Sequence, residues 1–424
     1  MEDLLHYMWR NRLVAPAALA TTDGRPLKII FPGMSHQDAG PDFKQAVIKI
    51  GDLIWAGDVE IHVNSSDWHR HKHDSDPKYQ SVILHVVYRH DADIERIPGE
   101  EFATLELRNY IPETMLERYK KLTFSTAGLP CQQQLENMES LYINSFFTRL
   151  ATERLLRKQE QIMAIHDSCR HDWNETAYRI LARSYGFSTN ATGFELLAQS
   201  LPYRILYQHH DSHTQLYALL FGQAGMLDHE PCDDYYTNLQ NEYNYLKYKY
   251  KLTPIPEKCW FFLRMRPNNF PTIRIAQLAE LIYHHPNLFA ELTRFENKEQ
   301  CYRMFGSEPN EYWKHHYLFG KESKTHCTTP GPSTIDLLLI NSIVPLLFAY
   351  GNFRGDAAMQ EKALEILEQL PFEKNHITRK YQEAGFPCQN ATCSQAILEL
   401  QKYYCTPKKC LQCQIGVKII GTRE

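Results

Sequence analysis

The chain has 424 residues, 43% hydrophobic and 23% charged, with a formal net charge of −4 at pH 7. Those proportions fit a soluble globular protein with two or three cores, and they exclude a uniformly basic nucleic-acid binder while leaving room for a local basic cleft. The start, Met1-Glu2-Asp3-Leu4-Leu5, lacks the basic-then-apolar pattern of a signal peptide, and the 11 cysteines read as thiols plus a metal site, so a cytoplasmic location is expected.

In chain order, Leu4 to Arg12 reads as a helix with Leu4, Leu5, Met8 and Trp9 on one face. Ala17 to Thr22 and Pro26 to Phe31 form a hairpin across Asp23-Gly24-Arg25. Lys44 to Ile50 and Leu53 to Val63 are two further strands, turned at Gly51-Asp52. A segment from Asn64 to Ser81, rich in His and Asp, leads to strands at Val82–Tyr88 and Ala103–Leu107. From Pro112 the pattern turns helical: Met115–Leu122, a long amphipathic Leu141–Ile165, then Glu175–Tyr185, Gly193–Leu201, Thr214–Leu227, Tyr235–Tyr250 and Thr272–Ile282. Ile335–Tyr350, Ala357–Leu370 and Cys393–Tyr404 complete the set, and Asn310 to Ser333 reads as loop. The apolar run Ile335 to Gly351 contains Asp336, Asn341 and Pro345, which makes it a buried helix; no membrane contact is expected.

The best chemical clue is Gly40-Pro41-Asp42-Phe43 followed by Gly57-Asp58-Val59-Glu60-Ile61-His62. The strand period of two puts Asp58, Glu60 and His62 on one face and Val59, Ile61 and Val63 on the other. Asp42, entering the preceding strand, reaches the same side. Carboxylates and imidazole gathered on rigid strands need a cation or partner to offset their charge. The blander alternative is a solvated sheet face with Asp42 at a turn.

Pro41-Asp42, Glu60 and the order helix, strands, helix, strand resemble the PD-(D/E)xK nuclease superfamily over residues up to about 110. The resemblance implies Mg²⁺ or Mn²⁺ held by Asp42, Glu60 and the backbone carbonyl of Ile61, with Asp58 auxiliary and DNA or RNA as partner. His62 stands where that superfamily has its water-orienting lysine, a departure that removes a fixed positive charge.

Asp67 to Asp76 carries His69, His71 and His73, with His85 following on a strand. Imidazoles spaced by two suit a transition metal. His71, His73 or Asp76 closing over Asp42 and Glu60, with His85 pointing at the same place, is one reading; a polar surface loop is the other. The tail unit Cys405-x4-Cys410-x2-Cys413 needs one more donor to hold zinc or an iron–sulfur cluster. Cys393 is the expected fourth, with Cys388 and Cys131 as alternatives. Tyr243 to Lys251 interleaves Tyr and Lys and is expected to be an ordinary amphipathic helix. Arg264 to Pro271 with Arg274 reads as a rigid packing corner or an anion site.

The phrases Gly40–Phe43, Gly57–His62, Ser66-Asp67-Trp68, Val82–Val87, Arg266–Arg274 and Cys405–Gly416 together resemble a bacterial family of unknown function, domain of unknown function 2851. The expectation is an α+β protein: a small nuclease-like α/β domain with a mixed sheet over 1–125, a larger all-helical domain over 126–387, and a cysteine-rich tail over 388–424 packed on the helices. Its leading function is metal-dependent phosphodiester hydrolysis on nucleic acid. The rivals are a non-catalytic adaptor with a degenerate nuclease-like domain, and a transition-metal hydrolase built on the histidine segment.

Overall fold

The computed structural model describes residues 1–14, 18–36, 39–97, 100–125 and 128–421. Ala17, at the head of the first expected strand, and Thr126, at the expected domain boundary, lie outside them. The chain is α+β and divides into two compact units, one of Met1–Glu139 with Gln401–Glu424, the other of Ser140–Leu400. The expected tail at 388–424 is therefore split. Residues 388–400 belong to the helical unit, and the chain from Gln401 onward belongs to the sheet-containing unit.

In the sheet unit, α1 (Glu2–Arg10) opens with Glu2 and Asp3, acids that suit the positive end of a helix, and buries Leu4, Leu5, Met8 and Trp9. Trp9 Nε1 donates to the Pro32 carbonyl at 2.9 Å. The strands are β1 (Leu19–Ala20), β2 (Pro26–Phe31), β3 (Met34–Ser35), β4 (Phe43–Ile50), β5 (Leu53–Asn64), β6 (Val82–Arg89), β7 (Glu95–Ile97), β8 (Glu100–Glu101) and β9 (Thr104–Glu106). The main sheet runs β1-β2-β4-β5-β6-β9 with β3 against β4, antiparallel up to β5 and parallel from β5 through β6 to β9. It is the mixed sheet that was expected. Ile50 pairs with Leu53 across the two-residue turn, where Gly51 takes a φ of 59°, open to glycine without a Cβ clash.

Two parallel neighbours cannot be joined by a tight turn. The connection from β5 to β6 is accordingly the histidine-rich segment, a single helical turn α2 (Asp67–Arg70) and two 3₁₀ turns, His73–Ser75 and Pro77–Tyr79. Trp68 anchors it, packed with Val82, Ile94 and Phe102. Asp91 fastens its start, accepting from Ser66 N–H at 2.9 Å and Ser65 Oγ at 3.0 Å.

The helical unit is built around Pro271–His284, in which every residue from Pro271 to Ile282 is buried. A helix buried all round is normally apolar throughout. This one carries Arg274, Gln277 and Glu280 at a spacing of three, a polar stripe inside the core. Ser140–Ser168 packs on Ala391–Leu400 and on Val344–Arg354. Pro332–Arg354 is long and apolar enough to cross a membrane, and 78% of its most apolar window is buried inside the protein. The expected loop at Asn310–Ser333 holds a short helix, Glu311–His315, and a hairpin of His316–Leu318 with Lys321–Glu322. Thr214–Leu227 stops early, at Gln223, ahead of Gly225 at a φ of 72°. The last expected helix is α-helical to Leu400 and widens into a π turn over Gln401–Cys405.

Candidate metal centre

Glu60 and His62 lie on the same face of β5, as the strand period requires, but that face is covered: Glu60 is 5% and His62 2% exposed. The opposite face, with Val59 and Ile61, is buried in the core as well. Asp42, one residue before β4, is drawn to the middle of β5. Its Oδ2 accepts the Ile61 N–H at 2.9 Å, and its own N–H donates to Glu60 Oε2 at 3.1 Å. Asp42 thus meets Ile61 through the peptide N–H. His6 of α1 completes its surroundings, Nε2 lying 3.2 Å from Oδ2.

The β5–β6 connection folds its imidazoles over the two acids. His71 Nδ1 lies 3.1 Å from His62 Nε2. His62 Nε2 and His73 Nε2 lie 3.5 and 3.4 Å from the same Glu60 oxygen, Oε1. Donor nitrogens of His62, His71 and His73 all fall within 4.8 Å of one another. His73 is sandwiched between Tyr79, at 3.7 Å between ring centres, and His62 at 5.2 Å. The fully buried His85, beside Glu60 in the parallel register, places Nε2 2.8 Å from His62 Nδ1. It therefore sits behind His62 and sets which nitrogen of that ring faces the acids.

Burial, with the Asp42 carboxylate beside it, pushes the Glu60 carboxyl up to about 9. Burial, with His73 and His71 close, pulls His62 down to about 4 and also lowers His73. At about 1.4 kcal/mol per pH unit, ionising Glu60 at neutral pH costs on the order of 3 kcal/mol. A cation would remove that cost, and neutral imidazoles are the form that ligates metal. His73 Nε2 is buried and accepts or donates no hydrogen bond. Three imidazoles and a carboxylate, one nitrogen left over and one carboxyl too basic, fit a bound divalent metal. The donor set is that of zinc or manganese more than of magnesium, which prefers all-oxygen shells.

Two of the expected residues stand apart. Asp58 accepts from Gln45 N–H at 2.9 Å and Ser81 Oγ at 2.6 Å, so it holds the β4 bulge and the start of β6. Asp76 caps the second 3₁₀ turn through Lys78 N–H at 3.0 Å and only borders His73. His6 and Glu2 were not singled out from the sequence. They lie four apart on α1, one helical turn, on the flank of the apolar face, and that spacing was the available signal. Burial raises the Glu2 carboxyl, against the pull of the neighbouring His6.

The cysteines regroup. Cys393 lies on Ala391–Leu400 in the helical unit, where its thiol neighbour is Cys388. Cys131, beside the short helix Gln132–Leu135, is the cysteine near the tail triad. Burial, with Cys405, Cys413 and Cys410 close by, pushes its thiol up to about 12. The tail is fastened there: Lys408 Nζ donates to the Ser125 carbonyl at 3.0 Å, Cys410 Sγ lies 3.9 Å from the Leu122 carbonyl, and helix Gln414–Gly421 packs on Glu113–Phe124.

One family profile matches, that of a protein of unknown function (DUF2851), over residues 2–376. The chain belongs to that family. The matched span includes the whole Asp42–His85 centre and stops before the tail cysteines. No curated protein and no solved structure matches the chain.

Proposed function

We propose that the sheet unit is a metal-dependent phosphodiester hydrolase acting on nucleic acid, with Mn²⁺ or Zn²⁺ held by Glu60, His62, His71 and His73. The observation that carries this reading is the clustering of three imidazoles, His62, His71 and His73, two of which share one Glu60 oxygen, with Asp42 alongside. The phosphodiester part rests on the resemblance of Pro41-Asp42 and Glu60-x-His62 to the PD-(D/E)xK pattern. When bound, the metal lowers the pKa of a water and offsets charge on a phosphate oxygen. Asp42, held at Oδ2 by Ile61 N–H and His6, takes a proton from the attacking water at its free oxygen in this reading. His62, kept neutral by burial, is a ligand in this reading and no substitute for the lysine charge. His85 fixes its ring, and His71 is the exposed member of the cluster.

The deciding experiment incubates labelled single- and double-stranded DNA and RNA with Mn²⁺, Mg²⁺ or Zn²⁺, comparing wild type with Glu60→Ala. Cleavage that needs the metal and disappears in the variant supports the hydrolase. Absence of cleavage, or cleavage that survives the substitution, moves the assignment to an adaptor with a degenerate nuclease-like domain. For the tail we propose a soft metal, zinc or an iron–sulfur cluster, on Cys131, Cys405, Cys410 and Cys413.

A further inference from the structure

A second constellation lies wholly in the helical unit and plays no part in the metal centre. The Gly186–Thr189 turn, the Arg264–Asn269 corner and the Thr328–Thr334 segment enclose a cavity of about 770 Å³, with Arg274 and Gln277 of the central helix in its wall. That volume is in the range of small-molecule sites. Its lining holds three arginines, Arg264, Arg266 and Arg274, several hydroxyl and amide side chains, and no Asp or Glu. Of the three, Arg274 is buried, and a buried positive charge without an acid is costly unless an anion offsets it.

Arg274 shows that cost most directly. It is 5% exposed, and its partners are all neutral: Gln277 Oε1 at 2.8 Å, Asn269 Oδ1 at 2.6 Å, Thr334 Oγ1 at 3.4 Å and the face of Phe187 at 4.9 Å. Its Nε has no hydrogen-bond partner. Burial pulls its pKa down to about 10, with no carboxylate nearby to restore it. Thr328, 1% exposed on the same wall, likewise leaves Oγ1 unpartnered. Buried donors without partners are rare and usually mark a missing water or ligand. Phe187 and Arg264, two non-glycine residues of the lining, take φ of 49° and 61°, a left-handed backbone that side chains disfavour and that tends to cluster at ligand sites. The helix Pro332–Arg354 starts at this cavity, adding the positive end of its dipole.

We infer that this cavity binds a phosphate-bearing small molecule. Arg274 and Thr328 contact the phosphate from the buried wall, and Arg264 and Arg266 close on it from the exposed rim. Arginine forks matched to phosphate oxygens are among the strongest hydrogen bonds available to a protein.

The test uses the full-length protein treated with EDTA, so that no metal in the sheet unit holds the probe. Calorimetric titration and thermal shift are measured with sodium phosphate, pyrophosphate and AMP against chloride at matched ionic strength. Wild type is expected to bind and to gain melting temperature. Arg274→Gln and the double variant Arg264→Ala/Arg266→Ala are each expected to weaken binding at least tenfold. The double variant alters only exposed side chains, so it keeps the test decisive where Arg274→Gln fails to fold. AMP binding tighter than phosphate assigns a phosphate ester, and equal affinity assigns phosphate itself. No binding by wild type, or unchanged affinity in either folded variant, overturns the inference.

Discussion

Among the described residues, two places gather three potential metal donors within 4.8 Å, and they differ in what surrounds them. In the sheet unit the three are His62, His71 and His73; His71 is exposed, but Glu60 and His62 are buried, one Glu60 oxygen is shared by His62 and His73, and His73 Nε2 is left without a hydrogen bond. In the helical unit, Glu280 is buried between His213 and His284, whose side chains are 42% and 48% exposed. Glu280 also accepts the Tyr217 hydroxyl at 2.8 Å. Every oxygen of Glu280 therefore has a donor, and its two histidines can draw on water. Proximity of His and Glu alone does not make a metal site. What separates the two is desolvation left uncompensated, present in the first and absent in the second.

The largest expected effect tests that distinction. His73→Ala should lower Mn²⁺ or Zn²⁺ affinity at least 100-fold, read by titration calorimetry, whereas His213→Ala should change it less than twofold. Equal losses would break the comparison and make both groups metal sites. The cysteines supply a second contrast between the units. Cys131→Ser should strip most of the zinc or iron from the purified protein, measured by elemental analysis, and Cys393→Ser should leave the content unchanged. Metal lost from Cys393→Ser but not from Cys131→Ser would return the tail to its expected partner.

The pairing of Cys131 with the tail shows where sequence reading reached its limit. Period-two alternation placed Glu60 and His62 on one face of β5 correctly, because residues two apart on a strand have no other choice. The β4–β5 hairpin, β6 and the long helices were legible for the same local reason, and the α+β class followed from them. Asp58 obeyed the alternation yet left the cluster, since the bulge at Gln45, with a φ of 58°, claimed its carboxylate. That is a register event, not a pattern in the residues. Which of His71, His73 and Asp76 would turn inward depended on how Trp68 anchors the connection, and the choice of Cys131 over Cys393 depended on a contact spanning most of the chain. Such long-range choices leave no periodic signal. His6 was legible in principle, one turn from Glu2 on the flank of the apolar face of α1.

Within the helical unit the same question of compensation predicts stability effects. Glu280→Gln keeps the shape of a fully satisfied carboxylate but removes its charge. It should destabilise the protein by about 1.5–3 kcal/mol, the range for a hydrogen bond to a charged group, in urea denaturation at pH 7. A neutral result would mean that His213 and His284 contribute nothing beyond their exposure to water.

His166 offers the smallest and most specific effect. It is fully buried against Trp173, at 4.0 Å between ring centres; Nδ1 lies 3.0 Å from Thr176 Oγ1, and Nε2 has no partner. Burial lowers its pKa below the usual 6.5, with His171 adding to the effect. Above 6.5 the ring is neutral in both folded and unfolded chains and contributes no pH slope. As pH falls below 6.5 the unfolded chain takes up a proton that the folded chain refuses, so stability is lost on acidification down to the depressed folded value. His166→Leu removes the titrating ring while keeping an apolar side chain under Trp173. Comparing urea midpoints at pH 7.5 and 5.5, the variant should lose less stability between the two than wild type does. An identical loss in both would mean that the acid sensitivity of the protein arises elsewhere, with the buried histidines around Glu60 next in line.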